Sequence, residues 1–396
     1  ITNAINGVLG NDQDPDSSLT ATLVANPSFA SSFSFNNDGT FSYTHNGSTN
    51  VIDSFTYQAN DGTEISNTAT VTINININQP PVASSSCSTT PQESPINGTL
   101  NATDPDGFLL TFSLGADGSA GLGPLDTTRG SVEITNSTTG AYTYTPSATG
   151  PRGSDSFDFF VEDPDGGSAS ATETIIVDQK IMPLGDSITR GTDGRITDDS
   201  LKFGYRKPLY DSLIAAGYSF DYFGSDALTG AGVADFDSDN EGHGGWSAIE
   251  IAFGRTATDG IQAWLDDNPT DIILLHIGTN EGSVLGPVPG STEIDTASIL
   301  DEIDLWENSA NGNPVTVILA KIINQDPLNA DVPVFNAALE AMVLDRVSDD
   351  IILVDMENAL NYPADLGDAV HPNAGGYAKM APVWHTDLTP VLDKCP

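Results

Sequence analysis

The sequence contains few basic residues and no long hydrophobic run. Only 13 of its 396 residues are Lys or Arg, against 55 Asp and Glu, so the formal net charge is −42 at pH 7. A chain this acidic repels polyanions, which argues against nucleic acid as a partner. No apolar segment approaches the ~20 residues that a membrane-spanning helix needs. We therefore expect no nucleic-acid partner and no membrane insertion.

Cysteine is almost absent too. The two cysteines, Cys87 and Cys395, do not form a Cys-x-x-Cys or other metal-binding spacing, which argues against a zinc or redox site. One disulfide between them and two free thiols both remain open. The chain begins at Ile1 rather than Met, and no signal peptide is visible. We therefore expect a processed or excised piece of a secreted or cell-surface protein, with any export signal outside these residues.

The first 178 residues are rich in Thr, Ser, Asn, Asp and Gly, with alternating β-forming residues between turn sequences, and this pattern predicts β-strands. The pattern also repeats. Asp-Pro-Asp occurs at 14–16 and again at 104–106, and Asp-Ser-Phe occurs at 53–55 and again at 155–157. A repeat of this length predicts two copies of one all-β sandwich domain.

Paired prolines in the segment 78–83 stiffen the chain between the two copies, and we place a domain boundary there. The predicted domains are residues 1–79 and 80–178. Both resemble the tandem cadherin-like or bacterial immunoglobulin-like repeats of large secreted proteins. The resemblance implies that acidic loops hold structural calcium, although Asp-Pro-Asp is equally a good turn sequence without metal. The candidate carboxylates are Asp12, Asp14, Asp16, Asp104, Asp106, Asp163 and Asp165.

Residues 179–396 have a different texture, in which short apolar runs alternate with amphipathic stretches. This alternation predicts an α/β domain with a parallel, doubly wound sheet between two helix layers. In such a sheet the loops after the strands carry the chemistry. The predicted strands are 180–184, 220–223, 271–277, 315–322 and 351–355.

Four segments of this domain follow predicted strands or lie in the connections after them: 185–189 (Gly-Asp-Ser-Ile-Thr), 241–247 (Glu-Gly-His-Gly-Gly-Trp-Ser), 278–280 (Gly-Thr-Asn) and 368–372 (Asp-Ala-Val-His-Pro). Together, and in this order, they resemble the four sequence blocks of the SGNH or GDSL hydrolases. Taken singly, each has a structural explanation as a helix cap or a tight turn. Their joint occurrence favours catalysis.

A serine hydroxyl attacks an ester at neutral pH only when a base removes its proton. Ser187 is the predicted nucleophile and His371 the predicted base. Asp368, three residues before His371, is predicted to orient the imidazole and to stabilise its charged form. We predict no cofactor for this chemistry.

The tetrahedral intermediate carries a negative charge that needs positioned donors. The resemblance implies three, namely the backbone N–H groups of Ser187 and Gly245 and the side-chain amide of Asn280. Glu281 follows Asn280 where many members of the family carry Asp, which puts the hydrogen bonding around the hole in doubt.

Several neighbouring residues have less defined roles. Asp186 adjoins the nucleophile, and we expect it to shape the turn rather than to serve as the triad acid. Trp246 is expected either to wall a small acyl pocket, to stack on sugar or to belong to the core. Structural or surface roles are expected for Glu241, His243, His276 and His385.

The blocks at 181–189, 241–246 and 371–381 further resemble the third carbohydrate esterase family, whose members are chiefly acetyl-xylan esterases. The resemblance implies hydrolysis of O-acetyl esters on a polysaccharide such as xylan through an acyl-enzyme. A lipase or carboxylesterase acting on other short-chain esters, and an adhesion protein with an inert hydrolase domain, are the alternatives. The sequence does not distinguish xylan from mannan, pectin or a marine glycan, and it gives no oligomeric state.

Overall fold

The computed structural model describes residues 7–92, 94–148, 152–256, 258–281 and 292–396, of which 292–294 are described by their backbone alone. Contacts divide the chain into two compact units. The first comprises residues 1–80, 104–108 and 164–167, and the second comprises residues 81–103, 109–163 and 168–396.

The first unit is built from antiparallel strands. They are β1 (Thr20–Ala25), β2 (Ala30–Phe35), β3 (Phe41–His45), β4 (Ile52–Asn60) and β5 (Ala69–Asn74). Strand β4 lies between β1 and β5, and β2 pairs with β3. Alternate residues of β4 are buried, among them Phe55 and Tyr57, because successive side chains of a strand point to opposite faces. These aromatic rings form the centre of a small core with Val8, Tyr43 and Ile73.

The second unit begins with another all-β region. Its strands are β6 (Val82–Ser84), β7 (Ser86–Thr90), β8 (Ile96–Thr99), β9 (Asn101–Thr103), β10 (Thr111–Leu114), β11 (Leu125–Asp126), β12 (Gly130–Asn136), β13 (Ala141–Pro146), β14 (Gly153–Glu162) and β15 (Ser168–Val177). They form two four-stranded sheets, ordered β10-β14-β15-β7 and β11-β12-β13-β8, and a β6-β9 pair. All pairings are antiparallel except β7 with β15. A shared core that includes Phe112, Tyr144 and Phe159 confirms the predicted all-β class.

The repeated Asp-Ser-Phe sequence has the same structural role in both regions. Asp53 accepts a hydrogen bond from the hydroxyl of Tyr43 (3.0 Å) and from two backbone amides of the 28–29 loop. Asp155 accepts from the hydroxyl of Tyr144 (2.6 Å) and from the amide of Arg129 (3.0 Å). A buried carboxylate must be hydrogen-bonded to be tolerated, and here it ties a strand to a loop.

Two of the acidic residues proposed for calcium accept hydrogen bonds within turns. Asp14 Oδ1 accepts from the amides two and three positions later, at 3.1 and 2.8 Å. Asp104 Oδ1 accepts from the amides two and four positions later, at 2.8 and 3.1 Å. Within the described ranges, no three His, Cys, Asp or Glu side chains are placed to hold a metal ion. Asp14 and Asp104 thus stabilise turns, and structural calcium stays an untested prediction.

The rest of the second unit is α/β. Its strands are β16 (Gln179–Gly185), β17 (Phe220–Tyr222), β18 (Glu241–Gly242), β19 (Ile272–His276), β20 (Thr316–Ala320) and β21 (Ile351–Val354). Its helices are α1 (Ser187–Arg190), α2 (Arg206–Ala215), α3 (Ala248–Phe253), α4 (Ile261–Asp267), α5 (Thr292–Glu307), α6 (Asp331–Asp345) and α7 (Ala374–Leu388). The strands form one parallel sheet ordered β17-β16-β19-β20-β21, with β18 continuing alongside β16.

Both faces of this sheet are covered. On β19, Ile272 and Leu274 join one core with α2 and α7, whereas Ile273 and Leu275 join the other with α3, α4 and α5. Burial on both faces explains why the strands are continuous apolar runs rather than alternating ones. The predicted three-layer α/β class is confirmed, and the segments proposed for catalysis follow the carboxyl ends of these strands or lie in the connections after them.

The β region and the α/β region of the second unit are joined by covalent and ionic contacts. Cys87 and Cys395 form a disulfide, so the alternative of two free thiols is wrong. Arg152 donates to Asp271 at 3.0 Å, and Asp271 also accepts from the backbone amide of Lys180 at 2.7 Å. Only one residue separates β15 from β16, which leaves no flexible linker at this junction. No helix in the described part of the chain has both the length and the apolar character to cross a bilayer.

Candidate active site

The proposed nucleophile lies where β16 passes into α1. Asp186 caps this short helix, because its Oδ1 accepts a hydrogen bond from the amide of Ile188 at 2.8 Å. Ser187 is the first helical residue and is partly exposed. Gly185, just before the cap, approaches β19 so closely that a Cβ there would lie 2.1 Å from the carbonyl oxygen of His276. Only glycine allows the strand to end here.

The structure brings Ser187, His371 and Asp368 into one chain of hydrogen bonds. His371 Nε2 lies 2.9 Å from Ser187 Oγ, and His371 Nδ1 lies 2.8 Å from Asp368 Oδ2. Asp368 Oδ1 also accepts from the backbone amides of Val370 and His371, each at 2.8 Å. A single turn between the acid and the histidine therefore places both on the same side of the loop.

The environment of Asp368 favours its ionised form. Burial would raise the pKa of this carboxyl, but the amides of His371 and Val370 and the imidazole together hold it below its ordinary value. The side chain is nevertheless 38% exposed, against 21% for His371. An ionised acid at this position holds the proton of the neutral imidazole on Nδ1, which leaves Nε2 free to accept from a serine hydroxyl.

A tight turn from His243 to Trp246 lies beside the nucleophile. The amide of Trp246 donates to the carbonyl of His243 at 3.1 Å, and Gly245 has a φ of +76°, which glycine adopts without strain. A Cβ on Gly244 would lie 4.0 Å from the Cβ of Ser187. Within the described part of the chain, the backbone N–H groups of Ser187 and Gly245 have no hydrogen-bond acceptor.

Asn280, after β19, is connected to the same turn. Its Nδ2 donates to the carbonyl oxygen of Trp246 at 2.9 Å, which fixes the orientation of the side-chain amide. An amide nitrogen carries two hydrogens, so one remains for a further acceptor. The three donors predicted for the oxyanion hole are therefore two unused backbone N–H groups and one amide hydrogen.

Asp186 is fully buried directly beside the nucleophile. Burial raises the pKa of its carboxyl to about 6, although the amide of Ile188, Thr279 and the charge of His371 act in the opposite direction. Its hydrogen bond goes to the helix N-terminus, whereas Asp368 contacts the imidazole. This geometry gives Asp186 the turn-shaping role expected from its position.

Trp246 is packed by other side chains. Its ring centroid lies 4.5 Å from that of His243, and the guanidinium of Arg255 lies 4.8 Å from the ring. His243 in turn stacks on Trp264, with centroids 4.4 Å apart and planes 9° apart. Trp246 is half-buried and packs against the core on the α3 and α4 side of the sheet, and its roles as the wall of an acyl pocket or as a surface that stacks on sugar stay predictions.

Arg206 supports the loops around the nucleophile, and sequence reasoning missed it. The side chain is fully buried, and burial lowers the pKa of its guanidinium to about 10. It donates to five backbone carbonyls, those of Thr189, Arg190, Lys202, Thr229 and Ser238. The sequence carries no signal for this role, because neither the burial of Arg206 nor the carbonyls that it reaches can be read from residue order.

In the described part of the chain, no hydrogen bond joins the remaining residues of less defined role to the side chain of Ser187. Glu241 is buried and binds His243 Nε2 at 2.8 Å, which positions the ring that stacks on Trp264. His276 ends β19 inside the domain, where burial lowers the pKa of its imidazole to about 4. His385 lies in the last turn of α7.

Comparison with known proteins identifies families in three parts of the chain. Residues 1–77 and 78–179 each match the bacterial cadherin-like domain, and residues 181–384 match the GDSL-like lipase/acylhydrolase family. A multidomain esterase from Ruminococcus flavefaciens is 32% identical over 234 residues, which are 54% of this chain and 28% of that protein. The chain thus spans little more than a quarter of the length of this relative.

Two solved structures are similar to the α/β part. An acetyl esterase mutant crystallised with an acetate ion is 26% identical, covering 54% of this chain and 97% of the other, with a TM-score of 0.45. A family 3 carbohydrate esterase from Talaromyces cellulolyticus has the same identity and coverage, with a TM-score of 0.44. The GDSL-like match extends over more than half of the chain and includes all four blocks, and this chain therefore belongs to the GDSL-like lipase/acylhydrolase family, with bacterial cadherin-like domains before its hydrolase domain.

Proposed function

We propose that this chain is a serine esterase that removes O-acetyl groups from a polysaccharide. The observation that carries the proposal is the hydrogen-bonded series from Ser187 Oγ to His371 Nε2 (2.9 Å) and from His371 Nδ1 to Asp368 Oδ2 (2.8 Å). In this arrangement Ser187 is the nucleophile, His371 the general base and acid, and Asp368 the residue that orients the imidazole.

In the first step, Ser187 Oγ bonds to the ester carbonyl carbon while its proton moves to His371 Nε2. The carbonyl oxygen becomes an oxyanion, which accepts hydrogen bonds from the amides of Ser187 and Gly245 and from Asn280 Nδ2. The C–O bond to the sugar then breaks, and the sugar oxygen takes the proton from His371. The acetyl group remains bonded to Ser187 Oγ as an acyl-enzyme.

In the second step, water attacks the acyl carbon and gives a proton to His371. The second tetrahedral intermediate uses the same oxyanion donors. When it collapses, Ser187 Oγ recovers its proton from His371 and acetic acid leaves. Each donor is expected to contribute about a hundredfold or more to the rate, because it interacts with charge that is present only near the transition state.

The substrate class rests on sequence similarity. The sequences around Ser187, Gly245 and His371 resemble those of the third carbohydrate esterase family, and the R. flavefaciens relative is called an esterase. The disulfide between Cys87 and Cys395 supports an oxidising compartment, where a polysaccharide-degrading enzyme would act. We therefore propose a secreted or cell-surface enzyme.

The test is release of acetate from a panel of acetylated xylan, mannan, pectin and an acetylated marine polysaccharide, by wild type and by Ser187→Ala. We expect release by wild type on at least one polysaccharide and at least a thousandfold less by the variant. Equal release by both proteins would exclude the proposed nucleophile. Acetyl and long-chain nitrophenyl esters form a second comparison, and faster hydrolysis of the long-chain ester would favour a lipase instead.

A further inference from the structure

Two adjacent residues after β19 hold the turn that carries Gly245. Asn280 Nδ2 binds the carbonyl oxygen of Trp246 at 2.9 Å. Glu281 Oε1 accepts a hydrogen bond from the backbone amide of Ala248, the first residue of α3. The segment between Trp246 and Ala248 is therefore anchored at both ends to the same short stretch of chain.

Three other polar groups in and after this turn are also engaged. The carbonyl of Gly245 accepts from Arg255 Nη2 at 3.2 Å, and the amide of Ser247 donates to Glu250 Oε2 at 2.9 Å. The amide of Trp246 donates to His243 within the turn. The amide of Gly245 is thereby left as a donor that nothing in the described part of the chain uses.

Packing does not fix the orientation of this amide. Gly245 is exposed, and a Cβ placed on it would have no heavy atom within 4 Å. Its backbone direction is therefore determined by the hydrogen bonds on either side. Glu281 supplies one of them from a side chain that is only 8% exposed.

From these contacts we propose that Glu281 is a positioning residue for the oxyanion hole, which fixes the start of α3 and so directs the Gly245 amide toward the nucleophile. The proposal rests on the catalytic roles proposed for Ser187 and Gly245. Many members of the family carry Asp after the asparagine. Here the proposal gives Glu281 a function, because its longer side chain reaches the Ala248 amide.

An acceptor oxygen at the right distance, rather than a negative charge, is what this role requires. Burial raises the pKa of Glu281 to about 7, and the nearby Asp295, Asp186 and Glu250 act in the same direction, while the Ala248 amide opposes them. A glutamine keeps the acceptor oxygen and the reach without the charge. An aspartate keeps the charge but is one methylene shorter.

The experiment compares Glu281→Gln, Glu281→Asp and Glu281→Ala with wild type, by kcat and KM for an aryl acetate and by the rate at which a fluorophosphonate labels Ser187. We expect Glu281→Gln to retain kcat within about threefold, and Glu281→Asp and Glu281→Ala to lose at least tenfold in kcat and in labelling rate, with KM within about threefold. Complete loss of one oxyanion donor lowers the rate by about a hundredfold or more, so a donor that is only misaligned should lower it less.

Glu307 provides a matched control, because its Oε1 also accepts from a backbone amide, that of Val315 (2.6 Å), on the same domain. We expect Glu307→Ala to lower the melting temperature without changing kcat. If Glu281→Ala does not fold, the proposal is tested by whether the kcat of Glu281→Gln exceeds that of Glu281→Asp. Aspartate as active as glutamine, or an unchanged kcat in Glu281→Ala, would overturn the proposal. Failure of acetate release from polysaccharides, with aryl acetate still cleaved, would refute only the glycan substrate.

Discussion

The hydrogen bonds of Asp368 lead to an unusual prediction, that asparagine at this position is worse than alanine. Oδ1 of Asp368 accepts from the amides of Val370 and His371, while Oδ2 is the oxygen nearest His371 Nδ1. In Asp368→Asn the two amides require the carbonyl oxygen of the asparagine, so its NH₂ group faces Nδ1. Oδ1 also lies 3.1 Å from Nδ1, but it already accepts from two amides, so the nearer NH₂ group favours the tautomer in which Nδ1 accepts and Nε2 carries the proton. In that tautomer it cannot take a proton from Ser187.

The magnitudes follow from the two different losses. Asp368→Ala removes one charge-assisted hydrogen bond of about 1.5–3 kcal/mol, which corresponds to roughly a 10- to 150-fold lower rate. Because the Asp368 side chain is 38% exposed, water is able to reach Nδ1 in the alanine variant, which favours the lower end. Asp368→Asn favours the wrong tautomer, and for a Ser-His-Asp arrangement this costs about 10⁴-fold in kcat.

The assay is kcat/KM for an aryl acetate at pH 8, with the melting temperature of each variant as the control for folding. The expected order is wild type, then Asp368→Ala, then Asp368→Asn. Alkaline pH should partly restore the asparagine variant if hydroxide replaces the base. An asparagine variant as active as the alanine variant, with both folded, would refute the tautomer argument.

Three further predictions concern the fold around the site. Folding raises the pKa of the Asp186 carboxyl from 3.8 to about 6, so ionisation of this group lowers the free energy of unfolding as pH rises from about 4 to 6. Above pH 6, the free energy of unfolding of Asp186→Asn should exceed that of wild type by up to ~3 kcal/mol, and at pH 4 the two should be equal. Melting curves of variant and wild type that coincide at both pH values would contradict this. Cys87→Ser should lower the free energy of unfolding by up to about 5 kcal/mol, because the disulfide joins residues 308 positions apart and so restricts the unfolded chain. Aryl acetate hydrolysis at 25 °C should be unchanged. A melting temperature equal to that of wild type would count against this prediction. Gly185→Ala should abolish soluble expression or activity, because its Cβ would overlap the carbonyl oxygen of His276, and a fully active variant would show that β16 and β19 separate readily.

The sequence was sufficient to predict the structural class of each region. Alternation and repeated Asp-Ser-Phe predicted the β regions, and continuous apolar runs predicted the parallel sheet, because these patterns report which faces of a strand are buried. Four separated blocks also indicated Ser187, Gly245, Asn280, Asp368 and His371. The residue types and their order carry that information, since the chemistry needs a nucleophile, a base, an acid and neutral donors.

Contacts between distant parts of the chain required the tertiary structure. The sequence left open whether Cys87 and Cys395 pair, and it gave three expected roles to Trp246, because partners far apart in the chain leave no local pattern. The hydrogen bond from Ala248 to Glu281 is of the same kind, since it joins residues 33 positions apart. What the sequence determined by itself was which residues are chemically competent and which faces are buried. Only the folded chain decided which oxygen faces which hydrogen, because hydrogen bonds depend on distances of tenths of an ångström that residue order does not encode.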